Sequence, residues 1–177
     1  MSIVSIDAVA IEKELVSVAY KMVIAATTAP KAKGLNCLDY AIITREEISL
    51  LSEEMKKIGQ ISAQHFFIRD AENILKAPVV VLIGAKIQPI NLKECRYCGY
   101  PDCGHKLSDS PCAHNVTDLG IALGAAVSVA ANFHIDNRIM FSAGKASLSL
   151  NLFASKIAIA YAIPLSVSNK NVFFDRT

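Results

Sequence analysis

The sequence predicts a domain of the α/β or α+β class, in which helices alternate with buried strands and a cysteine-rich loop is inserted between a strand and a helix. Apolar residues recur at helical spacing in several segments, short β-branched runs have the composition of strands, and residues 87–114 follow neither period. Of the 177 residues, 53% are hydrophobic and 19% are charged. One domain covering residues 1–177 can therefore bury a complete core.

Five elements are predicted in the N-terminal half, each from its apolar pattern and its end signals. They are a helix over residues 7–28, a strand over 38–44, a helix from 44 to about 58, a short helix over 67–75 and a strand over 79–83. Pro30 ends the first helix because it disfavours helical geometry at the preceding residue, and Gly59 closes the second. The last strand is a continuous apolar run, which indicates burial on both faces.

The C-terminal half begins with the cysteine loop, residues 87–114. The elements predicted after it are an alanine- and glycine-rich helix over 115–133, a short segment over 136–141, a helix over about 145–154 and a strand over 156–164. Gly120 and Gly124, one turn apart in the long helix, predict close packing against a neighbouring helix. Asp118 lies in the first turn of that helix and is expected to interact with the helix dipole.

Charge and end signals exclude several classes of function. A net charge of +2, without a long Lys/Arg run, gives no basis for nucleic-acid binding. The N-terminus carries acidic residues where a secretory signal would be basic, and Asp118 and Asn132 interrupt the most apolar segment, so neither export nor a membrane span is expected. No P-loop, GxGxxG or Ser/His/Asp pattern stands out. We expect a cytoplasmic protein.

Four of the five cysteines lie within 18 residues, in the pattern C-x2-C-x4-C-x8-C formed by Cys95, Cys98, Cys103 and Cys112. In a reducing compartment this grouping indicates a metal site rather than disulfides. Four thiolates suit either zinc or a [4Fe-4S] cluster, since both accept four sulfur ligands. Cys37 opens a predicted strand and is expected to be a small buried residue rather than a fifth ligand.

The spacing favours the iron–sulfur cluster over zinc. Structural zinc commonly takes two short cysteine pairs from separate arms, whereas here three cysteines share one compact turn and Cys112 arrives singly, immediately before the long helix. The N-terminal dipole of that helix would offset negative charge on a cluster. His105 and His114 border the loop and are expected to lie around the metal rather than bind it. Zinc is the alternative.

The motif CRYCGYPDCGHK followed by Cys112 resembles the signature of four-cysteine [4Fe-4S] domains in anaerobic electron-transfer proteins, although those domains often place the last cysteine further away. Over nearly its whole length the chain resembles a family of uncharacterised prokaryotic proteins that contain a ferredoxin domain. The stretches that carry this resemblance include TTAPKAKGLNCLDYAIIT, DLGIALGAAVSVA and DNRIMFSAG. The resemblance implies a [4Fe-4S] cofactor and no particular reaction.

A second resemblance concerns the scaffold. TTAPKAKGLN follows an N-terminal helix, where FMN-dependent nitroreductases carry a loop beside the flavin, and the order of elements around Gly144 is similar to their C-terminal half. This implies a nitroreductase-like mixed sheet flanked by helices, a homodimer and a seat for FMN, with Gly144 at a helix start near the phosphate. The implied seat consists of Thr28, Pro30, Lys31, Lys33, Gly144 and Lys145. The arginine pair that typically opens a nitroreductase is absent.

Two hypotheses from different classes follow. The first is a redox protein that passes electrons through a [4Fe-4S] cluster to a partner protein or a small-molecule acceptor, and that works as a small flavin-dependent reductase where FMN also binds. The second is a zinc-stabilised binding or scaffold protein without catalytic turnover. No catalytic residue is assigned under either hypothesis.

Overall fold

The computed structural model describes residues 6–174. Its helices and strands, in chain order, are α1 (Ala8–Thr28), β1 (Leu38–Thr44), α2 (Arg45–Ser62), α3 (His65–Ile74), β2 (Val79–Ala85), α4 (Ala113–Asn132), β3 (Asp136–Asn137), α5 (Phe141–Ser149) and β4 (Ile159–Ser166). No helix within residues 6–174 has the length and apolar character needed to cross a membrane. The sequence also suggests an ion pair between Asp175 and Arg176, which lie outside the described residues.

The four strands form one antiparallel sheet in the order β1-β2-β4-β3. Every residue of β2 is buried, as its continuous apolar run predicted. Because successive side chains point to opposite faces of a sheet, Val79, Val81 and Ile83 pack into one core with α1 and α4. Val80 and Leu82 pack into a second core with α2, α3 and α5. Helices therefore cover both faces of the sheet, which confirms the predicted class.

The layer formed by α1 and α4 supports the cysteine loop. α1 begins after Asp7, whose side chain caps it by accepting a hydrogen bond from Ala10 N at 2.9 Å. The helix ends before Pro30, as predicted. The short turn over 32–34 that follows contacts α4. The end of α1 is thus fixed near the start of α4, and both lie beside the loop.

Gly59 lies inside α2, so the prediction that it closes this helix is wrong. The helix continues to Ser62 and ends at Ala63, whose φ of 55° is left-handed. The missing side chain serves packing instead. A Cβ on Gly59 would lie 3.0 Å from Phe67 Cβ and 3.0 Å from Ile68 Cγ1 of α3. Glycine therefore permits the close approach of α3 to α2.

The fifth helix also differs from its prediction. It spans Phe141–Ser149 and not residues 145–154, so Gly144 lies within the helix and the expectation that it marks the helix start is wrong. A Cβ on Gly144 would lie 2.1 Å from the carbonyl oxygen of Ala160, because α5 packs directly on β4. This glycine serves the contact between helix and sheet.

The close packing predicted for Gly120 and Gly124 is wrong within the chain. Both glycines are exposed on α4, and a Cβ at either position would meet nothing within 4 Å. The exposed positions of α4 are Val116, Thr117, Gly120, Ile121, Gly124, Ser128, Ala131 and Asn132. None of them carries a charge, so the outer face of this helix is uncharged from end to end.

Candidate metal centre

Residues 86–112, between β2 and α4, form an irregular loop. One small cavity in this loop is lined by all four predicted ligands, Cys95, Cys98, Cys103 and Cys112. Cys112 is buried, whereas the other three are partly exposed. The cavity therefore has one thiol fixed against the core and three on a surface loop.

Cys112 is the cap residue of α4, since the first helical residue is Ala113. Its carbonyl oxygen accepts a helical hydrogen bond from Val116 N at 3.2 Å. The first turn of the helix contains no acidic residue, so the positive end of the helix dipole lies at the cysteine cavity without a carboxylate in that turn to offset it. This arrangement favours negative charge at Cys112.

The first three cysteines lie on a tightly turned stretch of backbone. Glu94, Arg96 and Gly99 have positive φ values of 57°, 49° and 85°. A hydrogen bond from Gly99 N to Arg96 O at 2.9 Å closes the turn. Non-glycine residues with such φ values are uncommon and cost on the order of 1 kcal/mol each. Strain of this kind clusters at ligand sites, and here it accompanies the turn that brings Cys95 and Cys98 to one cavity.

His114 contacts the predicted ligand Cys95. Its Nε2 atom lies 3.4 Å from Cys95 Sγ. The ring of Tyr97 stacks on the imidazole, with the ring centroids 5.7 Å apart. An imidazole N–H can donate to a thiolate and orient it. The structure thus places His114 beside one of the four cysteines, in a position to hold that side chain.

Asp102 and Lys106 fix the second half of the loop. One Asp102 oxygen accepts hydrogen bonds from Gly104 N at 2.8 Å and His105 N at 3.0 Å, and His105 Nδ1 lies 2.9 Å from both oxygens. The contact with the His105 ring, followed by the backbone bonds, holds the pKa of Asp102 below its usual range. Lys106 Nζ donates to the Ser110 carbonyl. The contacts of Asp102 and Lys106 thus stay within the loop and stabilise its second half, while the cysteine side chains line the cavity.

The four thiols share one cavity. Structural zinc requires four ligands within about 2.0 to 2.3 Å of a single ion, whereas the four cysteines of a [4Fe-4S] cluster bind different irons. Among residues 6–174, no group of three Cys, His, Asp or Glu side chains is arranged to hold one metal ion.

A buried polar cluster next to the loop escaped the sequence analysis. Cys37 is fully buried, as predicted, and its Sγ lies 3.9 Å from Asp118 Oδ2. Burial, followed by the charge of Asp118, raises the pKa of the Cys37 thiol. Both Asp118 oxygens accept from Ala32 N at 3.1 Å. Asp118 therefore connects the turn after α1 to α4. It lies beyond the first turn of α4, which contains no acidic residue, so its predicted place in that turn is wrong.

Asn115, three residues before Asp118, connects α4 to the cysteine loop in a similar way. Its Oδ1 accepts a hydrogen bond from Gln88 N at 2.8 Å, and its amide nitrogen is buried without a hydrogen-bond partner among the described residues. Two polar residues at this spacing share one helix face. That pattern, in an otherwise apolar helix, was the signal available in the sequence.

The six residues of the implied flavin seat lie in two separate places. Residues 28–33 lie at the end of α1 and just after it, on the sheet face that carries α4, whereas Gly144 and Lys145 belong to α5 on the opposite face. One chain does not bring the two groups together. A seat built from all six is not formed within the chain described here.

The lysines of the first group are engaged in internal contacts. Lys31 Nζ donates to the carbonyl oxygens of Ala26, Thr27 and Ala29 at 2.6, 2.8 and 2.7 Å, and burial lowers its pKa. Lys33 Nζ donates to Ile90 O at 3.0 Å. These two ammonium groups of the implied flavin seat therefore bind backbone carbonyls at the end of α1 and in the cysteine loop. Thr28 and Pro30 are exposed but supply no charge.

Solved structures share this architecture at low sequence identity. A nitroreductase with bound FMN from Desulfitobacterium hafniense DCB-2 matches 87% of this chain and 78% of its own, with a TM-score of 0.60 at 15% identity. A BluB-like flavoprotein from Clostridium difficile 630 matches 96% of this chain and 84% of its own, with a TM-score of 0.60 at 17% identity. The protein therefore has the mixed α/β fold of the nitroreductases, as the sequence predicted.

A relative with closer sequence identifies the family. An uncharacterised protein of Archaeoglobus fulgidus is 34% identical over 160 residues, which are 85% of each chain. Residues 108–176 match the family model described as an uncharacterised protein containing a ferredoxin domain (DUF2148). The chain belongs to this ferredoxin-domain family. The matched residues include Cys112 but not Cys95, Cys98 or Cys103, so the complete ligand set stays a prediction.

Proposed function

We propose that the protein is an electron carrier that holds a [4Fe-4S] cluster through Cys95, Cys98, Cys103 and Cys112. The observation that carries the proposal is that all four thiols line one cavity at the start of α4. Membership of a ferredoxin-domain family supports the same cofactor. When bound, such a cluster accepts and releases single electrons.

The cysteines, the N-terminus of α4 and His114 have different roles at this site. With four cysteine ligands no open metal position is left for a substrate, so the site suits relay to a partner protein or to a small-molecule acceptor bound nearby. The N-terminus of α4 stabilises negative charge on the Cys112 side. His114 orients Cys95 through the 3.4 Å contact of its Nε2. The partly exposed side of the loop is the face through which electrons enter or leave.

Metal analysis of anaerobically purified protein tests the proposal. We expect brown protein with about four iron atoms and four sulfides per chain. Colourless protein that contains one zinc ion per chain would overturn the proposal and establish the alternative, a zinc-stabilised binding or scaffold protein. Aerobic purification of a second sample, with loss of colour and iron, serves as the control for the oxygen sensitivity of the centre.

The flavin-dependent version of this function is supported by the fold alone. The nitroreductase named above has FMN bound, but in this chain Lys31 and Lys33 donate to backbone carbonyls and Gly144 is covered by β4. We therefore assign no step to a flavin. The same anaerobic sample, soaked with FMN, desalted and denatured, would release a yellow chromophore if the reductase version holds.

We expect a homodimer in which two copies of α4 meet through their uncharged outer faces. Open space around Gly120 and Gly124 allows a partner to approach the backbone closely, and the exposed side chain of Ile121 would be buried.

Light scattering should give twice the chain mass of 19.1 kDa. Ile121→Asp should shift the protein to monomer by placing two like charges at the interface. Leu50→Asp, at an exposed position of α2, is the matched control. A wild-type monomer, or an Ile121→Asp dimer, would contradict the prediction.

A further inference from the structure

A cleft of about 610 Å³ lies between the cysteine loop and the segment that leads into β4. Two lysines, Lys86 and Lys156, line it together with the apolar side chains of Ile87 and Ile157. Small-molecule sites commonly have this size and this mixture of apolar wall and few polar groups. None of these residues belongs to the cavity that the four cysteines line.

The charges in the cleft favour a small anion. Within residues 6–174, no side-chain hydrogen bond or ion pair is found for Lys86 or Lys156, although Lys86 lies near enough to help lower the pKa of Asp39. The Asp39 carboxylate is itself occupied, because it accepts from Ser155 N at 2.8 Å and from the Ser155 hydroxyl. Burial alone would raise the pKa of Asp39, but these hydrogen bonds outweigh it and the pKa is lowered. Two ammonium groups are thus available to a ligand.

The walls of the cleft are held in place by contacts with the sheet. The segment on one side is tied to β1 through Ser155 and to β2 through Ala158 N, which donates to Ala85 O at 3.0 Å. Gly84 admits Ile157, since a Cβ there would lie 2.4 Å from Ile157 Cγ2. On the other side Lys86 N donates to Cys37 O at 2.8 Å. A site anchored in this way is preformed, which lowers the cost of ordering it on binding.

The third wall belongs to the candidate metal centre. Ser108 and Asp109 line the cleft and lie between Cys103 and Cys112 in the chain. Their turn is closed by a hydrogen bond from Ser110 N to Leu107 O at 3.1 Å. A molecule in the cleft would therefore contact the same loop that carries the four cysteines. The exposed Asp109 carboxylate at this wall would exclude a second negative charge on that side of the ligand.

We propose that this cleft binds a small organic monoanion, whose carboxylate pairs with Lys86 and Lys156 and whose apolar body packs against Ile87 and Ile157. The bound anion lies against the loop that carries the four candidate ligands. Its binding does not depend on the proposed function.

Calorimetric titration of the anaerobically purified full chain with benzoate and with benzamide tests the proposal. The two probes have nearly the same shape, but only benzoate is charged. We expect saturable binding of benzoate and roughly tenfold weaker binding of benzamide, the ratio that loss of charge-assisted hydrogen bonds gives. The double variant Lys86→Met/Lys156→Met should lose a similar factor for benzoate, whereas Lys57→Met, at an exposed lysine of α2, should bind as the wild type does.

Several outcomes would overturn the inference. They are the absence of saturable benzoate binding, equal affinity for the two probes, and unchanged benzoate affinity in the double lysine variant. The result separates cleanly from the test of the function. Benzoate binding by protein that lacks iron and sulfide would support the anion-binding cleft and contradict the electron-carrier proposal. Protein that contains iron and sulfide but does not bind benzoate would support the electron carrier and contradict the anion-binding cleft.

Discussion

Replacement of Cys112 by serine should remove the iron and leave the fold intact. Serine is a preferred cap residue, so the start of α4, which Cys112 now caps, is retained or strengthened. The hydroxyl is a poor substitute for a soft thiolate ligand. We expect iron and sulfide per chain to fall at least roughly tenfold, since loss of even an outer-shell partner of a metal site costs that much. Elemental analysis and visible absorbance of the anaerobic protein measure the change.

Cys37→Ala provides the matched control for this experiment. Cys37 is the one cysteine outside the loop, is fully buried and contacts Asp118 rather than the cavity. Its replacement should leave the iron content unchanged. The ligand assignment fails if Cys112→Ser retains full iron, or if Cys37→Ala loses as much iron as Cys112→Ser while its far-ultraviolet circular dichroism stays native.

Replacement of the buried Asp70 should lower the free energy of unfolding substantially. The carboxylate is buried on α3 and accepts from Arg69 Nη2 at 2.8 Å, from Ser142 Oγ at 2.7 Å and from Arg138 Nη1 at 3.4 Å. Arg138 in turn donates to Phe173 O at 3.2 Å. Asp70→Ala leaves these donors without their acceptor, and we expect a loss of about 3 kcal/mol in the free energy of unfolding.

Urea denaturation of variants in the same metal state measures this loss. Glu72→Ala, two residues further along α3, is the control, because Glu72 is 58% exposed and forms its ion pair with a surface lysine, Lys56. Its effect should stay within about 0.5 kcal/mol. Equal unfolding midpoints for the two variants would show that the Asp70 network does not hold α3, α5 and the C-terminal segment together.

Local signals were enough to predict most of the elements. The ends of α1 follow from Asp7 and Pro30, which act on the backbone within a few residues, and the burial of β2 follows from its uninterrupted apolar run. The errors concern glycines. Gly59 and Gly144 resemble helix boundaries, but Gly59 packs against α3 and Gly144 against β4, and only the packed structure shows why a side chain is excluded.

In the candidate site, too, the features set by neighbouring residues could be predicted and those set by long-range contacts could not. The four cysteines could be grouped from the sequence because they lie within 18 residues. The contacts of Asp118 with Ala32 and Cys37 join positions 86 and 81 residues apart, and no local pattern encodes such a pairing. The two groups of the implied flavin seat lie on opposite faces of the sheet, and element order does not reveal which face each helix covers.

The pairing of α1 with α4 also has a consequence for the order of assembly. These two helices share a core although the cysteine loop and two of the four strands lie between them in the chain. Contacts of such high sequence separation form late, because a long loop must be closed first. During synthesis Cys95, Cys98 and Cys103 therefore emerge before α4 is available to pack beside them. Cys112, at the start of α4, reaches its final place only when α4 packs against α1. We therefore expect the predicted ligand set to be complete only after α4 has packed against α1.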